Sequence, residues 1–93
     1  MSIQSFACRR TRNLFNGIPQ QWFARLETVA MRKLAMLNAA VSLADLRAPP
    51  ANRLEALRGD RSGQHSIRIN EQYRVCFVWT EAGPAQVEIV DYH

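Results

Sequence analysis

The apolar positions change period once along the chain, at Pro49-Pro50. Ahead of the prolines, Phe23, Leu26, Ala30, Leu34, Leu37 and Val41 recur at steps of three and four, lining one face of a helix, and Trp22, Val29 and Met36 widen the stripe. With Pro19 suited to a first turn, the spacing predicts a helix of about five or six turns. Before it, residues 3–6 read as an edge strand, and residues 8–16 as a short basic helix carrying Arg9, Arg10 and Arg12 that Gly17 would stop. Ser42 and Asp45 resemble a capping pair for one further turn over residues 43–46. The proline pair then ends helical structure, because the ring lacks an N–H and restricts its predecessor.

Beyond the prolines the period is two. Residues 54–57 form a first short strand, and residues 59–63 a turn bracketed by glycines. His65, Ile67 and Ile69 then alternate with Ser66, Arg68 and Asn70, as in a half-buried strand. In a third strand Val75, Phe77 and Trp79 face one way and Arg74, Cys76 and Val78 the other; residues 86–92 form the last. Short hairpin connections imply an antiparallel meander. The helical stripe and one sheet face are each the only cover available to the other, so the fold class expected is α+β, a small antiparallel sheet with N-terminal helices packed on one face. The opposite face, with Arg68, Arg74 and Tyr92, is expected to be open to solvent or a ligand. His65 shares the apolar phase and reads as a core or interface histidine, whereas Tyr73 is taken as out of phase with the buried face and as the aromatic available to stack on a base.

Length and composition narrow the class. A chain of 93 residues with 47% hydrophobic and 22% charged residues is one globular domain, 1–93, without linker or repeat. No apolar run approaches a bilayer span, and the start lacks a basic segment followed by an apolar one, so a cytoplasmic protein without membrane contact is expected. Cys8 and Cys76 form no CxxC pair and read as reduced thiols. Residues 1–50 hold seven basic side chains against two acidic ones, and residues 51–93 five against six. Eleven of the twelve basic residues are arginine, whose planar fork grips phosphate with paired hydrogen bonds. Arginine-rich codon usage gives the same excess.

The chain carries no Gly-rich phosphate loop, HExxH or GxSxG, and neither a metal nor a cofactor is expected. What remains is Arg58, Arg61, Arg68 and Arg74 with the terminal Asp91-Tyr92-His93. Cutting RNA without metal needs a base for the ribose 2′-OH, an acid for the departing 5′ oxygen and fixed cations for the crowded phosphate, and these residue types supply all three. Two readings stand for each: a solvated surface side chain, or a member of a phosphate site. For His93 the choice is between a frayed chain end and an imidazole held against the sheet by the strand before it.

The run from Arg53 through the LxGDRxG turn at residues 57–63, followed by Ser66-Ile67-Arg68-Ile69-Asn70, Tyr73-Arg74 and the ending Asp91-Tyr92-His93, resembles the HigB type of toxin in the RelE superfamily, as does the opening Ile3-Gln4-Ser5-Phe6. The resemblance covers essentially the whole chain. It implies a RelE-like fold and a ribosome-dependent messenger RNA endonuclease that cuts the codon in the A site without metal, through attack of the 2′-OH on the adjacent phosphate. It implies a HigA-like helix-turn-helix antitoxin as partner, reaching operator DNA only through that antitoxin, and the 70S ribosome with its message as target. By position, Arg74 would stabilise the scissile phosphate, and Asp91, Tyr92 and His93 would orient RNA and manage protons; Arg58, Arg61, Arg68 and Tyr73 are expected from their residue types to bind RNA. Arg58 stands where some relatives have lysine, keeping the charge without an amine to act as base. Glu55 stands where some have histidine. Arg9, Arg10, Arg12, Arg25, Arg32 and Lys33 would dock on ribosomal RNA; a merely solvated helix face is the other reading. The rival function is a non-catalytic basic module that binds nucleic acid or antitoxin.

Overall fold

The computed structural model describes residues 2–21 and 24–91. Trp22, Phe23, Tyr92 and His93 lie outside them, and with them part of the expected stripe and the end of the terminal triad. Among the described residues two α-helices, α1 (Arg9–Phe15) and α2 (Glu27–Ala39), precede four strands, β1 (Glu55–Ala56), β2 (His65–Arg68), β3 (Tyr73–Thr80) and β4 (Gly83–Asp91). The strands form one antiparallel sheet in the order β1-β2-β3-β4, the expected meander. Leu14 of α1 and Ala30, Leu34 and Leu37 of α2 pack with Ile67, Val75, Phe77, Val87 and Ile89 in a single core, so the α+β class and the helices on one face are borne out.

The helical reading needs correction at both ends. α2 starts at Glu27, well after Pro19, and its 13 residues make three to four turns. Leu26 is buried as the stripe requires, but Val41 lies beyond the helix and is 64% exposed. The Ser42–Asp45 pair is present: the Asp45 carboxylate accepts the N–H groups of Val41 and Ser42, at 2.9 and 3.1 Å, and opens a 3-10 segment over Leu43–Arg47. These two N–H groups hold the Asp45 carboxyl below its ordinary pKa. Helical structure does not end at the prolines, since Pro50 starts another 3-10 turn, Pro50–Asn52, where its missing N–H leaves no bond unmade.

The sheet edges differ from the reading in detail. Residues 3–6 do not form a regular strand. Phe6 makes one parallel bridge to Val87; the Ala7 N–H donates to the Val87 carbonyl, and the Val87 N–H donates to the Ser5 carbonyl. The buried Thr11 of α1 accepts the Ile89 N–H on its Oγ1 at 3.0 Å. The outer edge of β4 is thus capped by chain segments that are not themselves strands. Between the pairs Cys76↔Glu88 and Val78↔Ala85, one residue of β3 faces two of β4, a bulge with Gln86 at φ 52°.

Candidate functional site

The side of the sheet away from the helices is set by register. Arg68 pairs with Arg74 and Arg74 with Val90; the next row is Glu55, Ser66, Cys76 and Glu88. Two arginines directly opposite each other on neighbouring strands repel, an arrangement that costs folding free energy unless an anion sits between them. Arg68, Arg74, Arg53, Asn70 and Glu71 line a cavity of about 240 Å³. Three arginines against one glutamate line it, making it a cationic recess.

Arg74 departs most from the open-face expectation: it is 8% exposed, and Ser66 and Cys76 beside it are fully buried. The Arg74 Nε donates to Ser66 Oγ at 2.7 Å, and Nη2 donates to the Arg53 carbonyl at 2.6 Å, with a longer contact of 3.4 Å to the Ser66 carbonyl. Ser66 is its diagonal neighbour across the β2–β3 pair, and its small side chain lets the arginine stem lie along the sheet. Arg53, at the end of the Pro50–Asn52 turn, is left-handed with φ 46° and ψ 55°, a conformation non-glycine residues rarely keep without cause. The result is an orientationally fixed guanidinium at the floor of a recess. The Arg68 Nε donates to the Asn70 carbonyl at 3.1 Å, at the mouth of the same recess.

The structure divides the remaining sequence candidates. Arg61 belongs to another contact: its Nη1 meets Glu88 Oε1 at 2.8 Å and Gln64 Oε1 at 3.1 Å. Arg58 is exposed beside Glu55, Ala56 and Leu57, which line a separate cavity of about 410 Å³. Tyr73 is in phase with Val75 and Phe77 and packs against the core, so it is on the helix side rather than out of phase. There it borders a cavity of about 440 Å³ with Gln21, Arg25 and Gln72; Asn70 lines both this cavity and the arginine recess. Asp91 pairs in register with Tyr73, on that same side, and accepts the Gln72 Nε2 at 3.0 Å. Tyr92 and His93 fall outside the described residues.

Of the expected docking surface, Arg9, Arg10, Arg12, Arg25 and Arg32 are exposed, but Lys33 is not. It is 7% exposed, and its Nζ donates to Oδ1 of the fully buried Asn52. Burial, with Arg32 beside it, lowers the Lys33 pKa. His65 is on the core face as expected, its ring stacked on Phe77 at 6.2 Å with a buried Nδ1. Cys8 and Cys76 are free thiols, the second buried. Among the described residues no group of three or more His, Cys, Asp or Glu could hold a metal ion, and no helix is long and apolar enough to cross a membrane.

Sequence reasoning missed Arg53 and Glu71 as lining of the recess and Ser66 as the partner that holds Arg74. Ser66 had a signal, since it alternates onto the face of Arg68. Arg53 had none, because its contribution is a main-chain carbonyl turned inward by an unusual φ.

Comparison with known proteins bears on this arrangement. Residues 14–93 match the family described as RelE-like toxin of type II toxin-antitoxin system HigB. Toxin HigB-1 of Vibrio cholerae is 46% identical over 68 residues, 73% of this chain and 70% of that protein. An uncharacterized protein of Haemophilus influenzae is 44% identical over 54 residues, 58% of this chain and 54% of its own length. With the family matched over most of the chain, from α1 to the final residue, the protein belongs to the HigB-like, RelE-like toxins of type II toxin-antitoxin systems.

Proposed function

We propose that this toxin is a ribosome-dependent, metal-independent messenger RNA endonuclease that cuts codons in the ribosomal A site. The carrying observation is the recess in which Arg68 and Arg74 oppose each other, with the Arg74 guanidinium fixed by Ser66 and the Arg53 carbonyl. Such an array suits a phosphate whose charge grows during reaction, because donors already oriented need no reorganisation in the transition state. The ribose 2′-OH gives its proton to a base and its oxygen bonds to phosphorus; the bond to the 5′ oxygen breaks and that oxygen takes a proton, leaving a cyclic phosphate and a 5′-OH. In this reading Arg74 stabilises the phosphate and Arg68 helps bind it. Asp91, Tyr92 and His93 orient RNA and carry the protons, following directly on Val90, the register partner of Arg74. Arg58 and Arg61 contact flanking RNA, Tyr73 meets it from the cavity that shares Asn70 with the recess, and the exposed Arg9, Arg10, Arg12, Arg25 and Arg32 dock on ribosomal phosphates. Membership of a toxin-antitoxin family implies an antitoxin partner; a HigA-like helix-turn-helix protein fills that place, and the pair acts in the cytoplasm.

The test is induction of the toxin with primer extension on translated messages. Wild type is expected to arrest growth and to create new 5′ ends within codons. Arg68→Ala and Arg74→Lys are expected to lose both while still binding antitoxin. Stalled translation on intact messages would instead establish the non-catalytic module, and full toxicity of a folded Arg74→Ala protein would remove the nuclease reading.

A further inference from the structure

The proposed cleavage leaves the chain's single lysine without a task, although burying an ammonium group is costly unless something needs it there. Lys33 lies within α2, on the other side of the sheet from the arginine recess. Its Nζ donates to Asn52 Oδ1. The Asn52 Nδ2 donates to the carbonyls of Leu46 and Ala48, at 3.2 Å each, and lies 3.8 Å from the Met36 sulfur. Both ends of this buried amide are therefore engaged, and the 3-10 turn that carries it is tied to the helix layer. The next residue is Arg53, whose N–H closes on the Pro50 carbonyl at 3.1 Å and whose carbonyl accepts the Arg74 Nη2. Asn52 is thus one peptide unit from an acceptor that sets the plane of the arginine, and Ser66 Oγ holds the same guanidinium through a different nitrogen. With the Arg53 carbonyl displaced, Nη2 keeps only the longer 3.4 Å contact to the Ser66 carbonyl beside the bond from Nε to Ser66 Oγ, so the plane of the fork is less tightly set.

We infer that Lys33 and Asn52 are positioning residues for Arg74: the buried pair keeps Arg53 in its left-handed conformation, and the Arg53 carbonyl in turn fixes the guanidinium in the recess. The orientation claim stands on the geometry alone, and only its effect on cleavage rests on the proposed function.

The experiment compares full-length wild type, Lys33→Met, Asn52→Ala and, as a direct reference, Ser66→Ala. The Nε–H signal of Arg74 is observed by 15N NMR and assigned by its absence in Arg74→Lys. In Lys33→Met and Asn52→Ala that proton is expected to exchange with water roughly tenfold faster, shifting in the direction seen in Ser66→Ala, while the Phe77 and Ile89 amides keep their protection. Cleavage of ribosome-bound message at saturating toxin is expected to slow about tenfold with KM unchanged. An unmoved Arg74 signal in a folded Lys33→Met protein overturns the inference, as does parallel loss of protection at Phe77 and Ile89, which marks a general packing role. A mobilised Arg74 signal with an unaltered cleavage rate supports the positioning and counts against the nuclease reading instead. Should Asn52→Ala not fold, Lys33→Met carries the comparison, since methionine fills much of the lysine's volume without its charge.

Discussion

Single polar side chains hold the irregular middle of this toxin in place. Asn52 is fully buried among groups that all need it: two carbonyls from the segment before it and the Lys33 ammonium. Asn52→Ala leaves those partners unmatched and is expected to cost about 3 kcal/mol in urea unfolding, whereas Lys33→Met, which relieves the burial of a charge but leaves Asn52 Oδ1 without its donor, is expected to cost about 1–2 kcal/mol. Asp45 works in the open, and its carboxyl is held below the ordinary value of 3.8 by the Val41 and Ser42 N–H groups. The folded protein therefore binds this proton less readily than the unfolded chain. The contribution is fully present above pH 3.8 and fades as pH falls from there through the lower folded value. Asp45→Asn is expected to flatten that part of the acid limb in denaturation followed by circular dichroism. At this scale the sequence was partly legible: the Ser42–Asp45 signature is local in the chain, but the partners of Lys33 and Arg74 lie 19 and 21 residues away, at Asn52 and Arg53.

Among the elements, strand parity carried the most information. Alternation placed Ile67, Val75 and Phe77 on one face and Ser66, Arg68, Arg74 and Cys76 on the other, as observed. It did not reveal that Arg53, just after the prolines, turns its carbonyl onto the Arg74 guanidinium. The helix at residues 19–41 was overread because apolar spacing continues past the points where the backbone leaves α geometry. The β4 edge is settled by α1. Thr11→Val keeps the shape but removes the acceptor of the Ile89 N–H, and is expected to cost about 1–3 kcal/mol and to speed exchange of that amide, while Thr11→Ser retains both. At the bulge, Gln86 holds a positive φ that glycine adopts freely. Gln86→Gly is expected to be neutral or to stabilise by up to about 1 kcal/mol in thermal unfolding.

For the whole molecule, two groups of arginines matter most: the exposed ones on and just before the helices, and the three that line the recess on the far side of the sheet. The proposed ribosome contact draws on the first and the proposed chemistry on the second, so the two should separate experimentally. Replacing Arg9, Arg10 and Arg12 by glutamine is expected to weaken ribosome binding and to reduce the slope of log K against log salt by about two to three, with the cleavage rate at saturation little changed. Arg68→Ala is expected to do the opposite, slowing cleavage at saturation. Sedimentation of toxin with ribosomes across a salt series, paired with single-turnover cleavage, measures both.

Amino-acid order alone determined the α+β class, the meander, the faces of its strands and the membership of a toxin family, because periodicity, turn residues and short motifs are local and survive without knowledge of contacts. Tertiary structure decided which charges are surface and which are machinery. Lys33 looks like one more basic residue on a helix and is buried. Arg53 carries no signal in the sequence and acts through its carbonyl. Tyr73 looks free and packs on the core. Burial and hydrogen bonding depend on what the rest of the chain brings to a position, and for Arg74 that is a serine across the strand pair and a backbone turn 21 residues back.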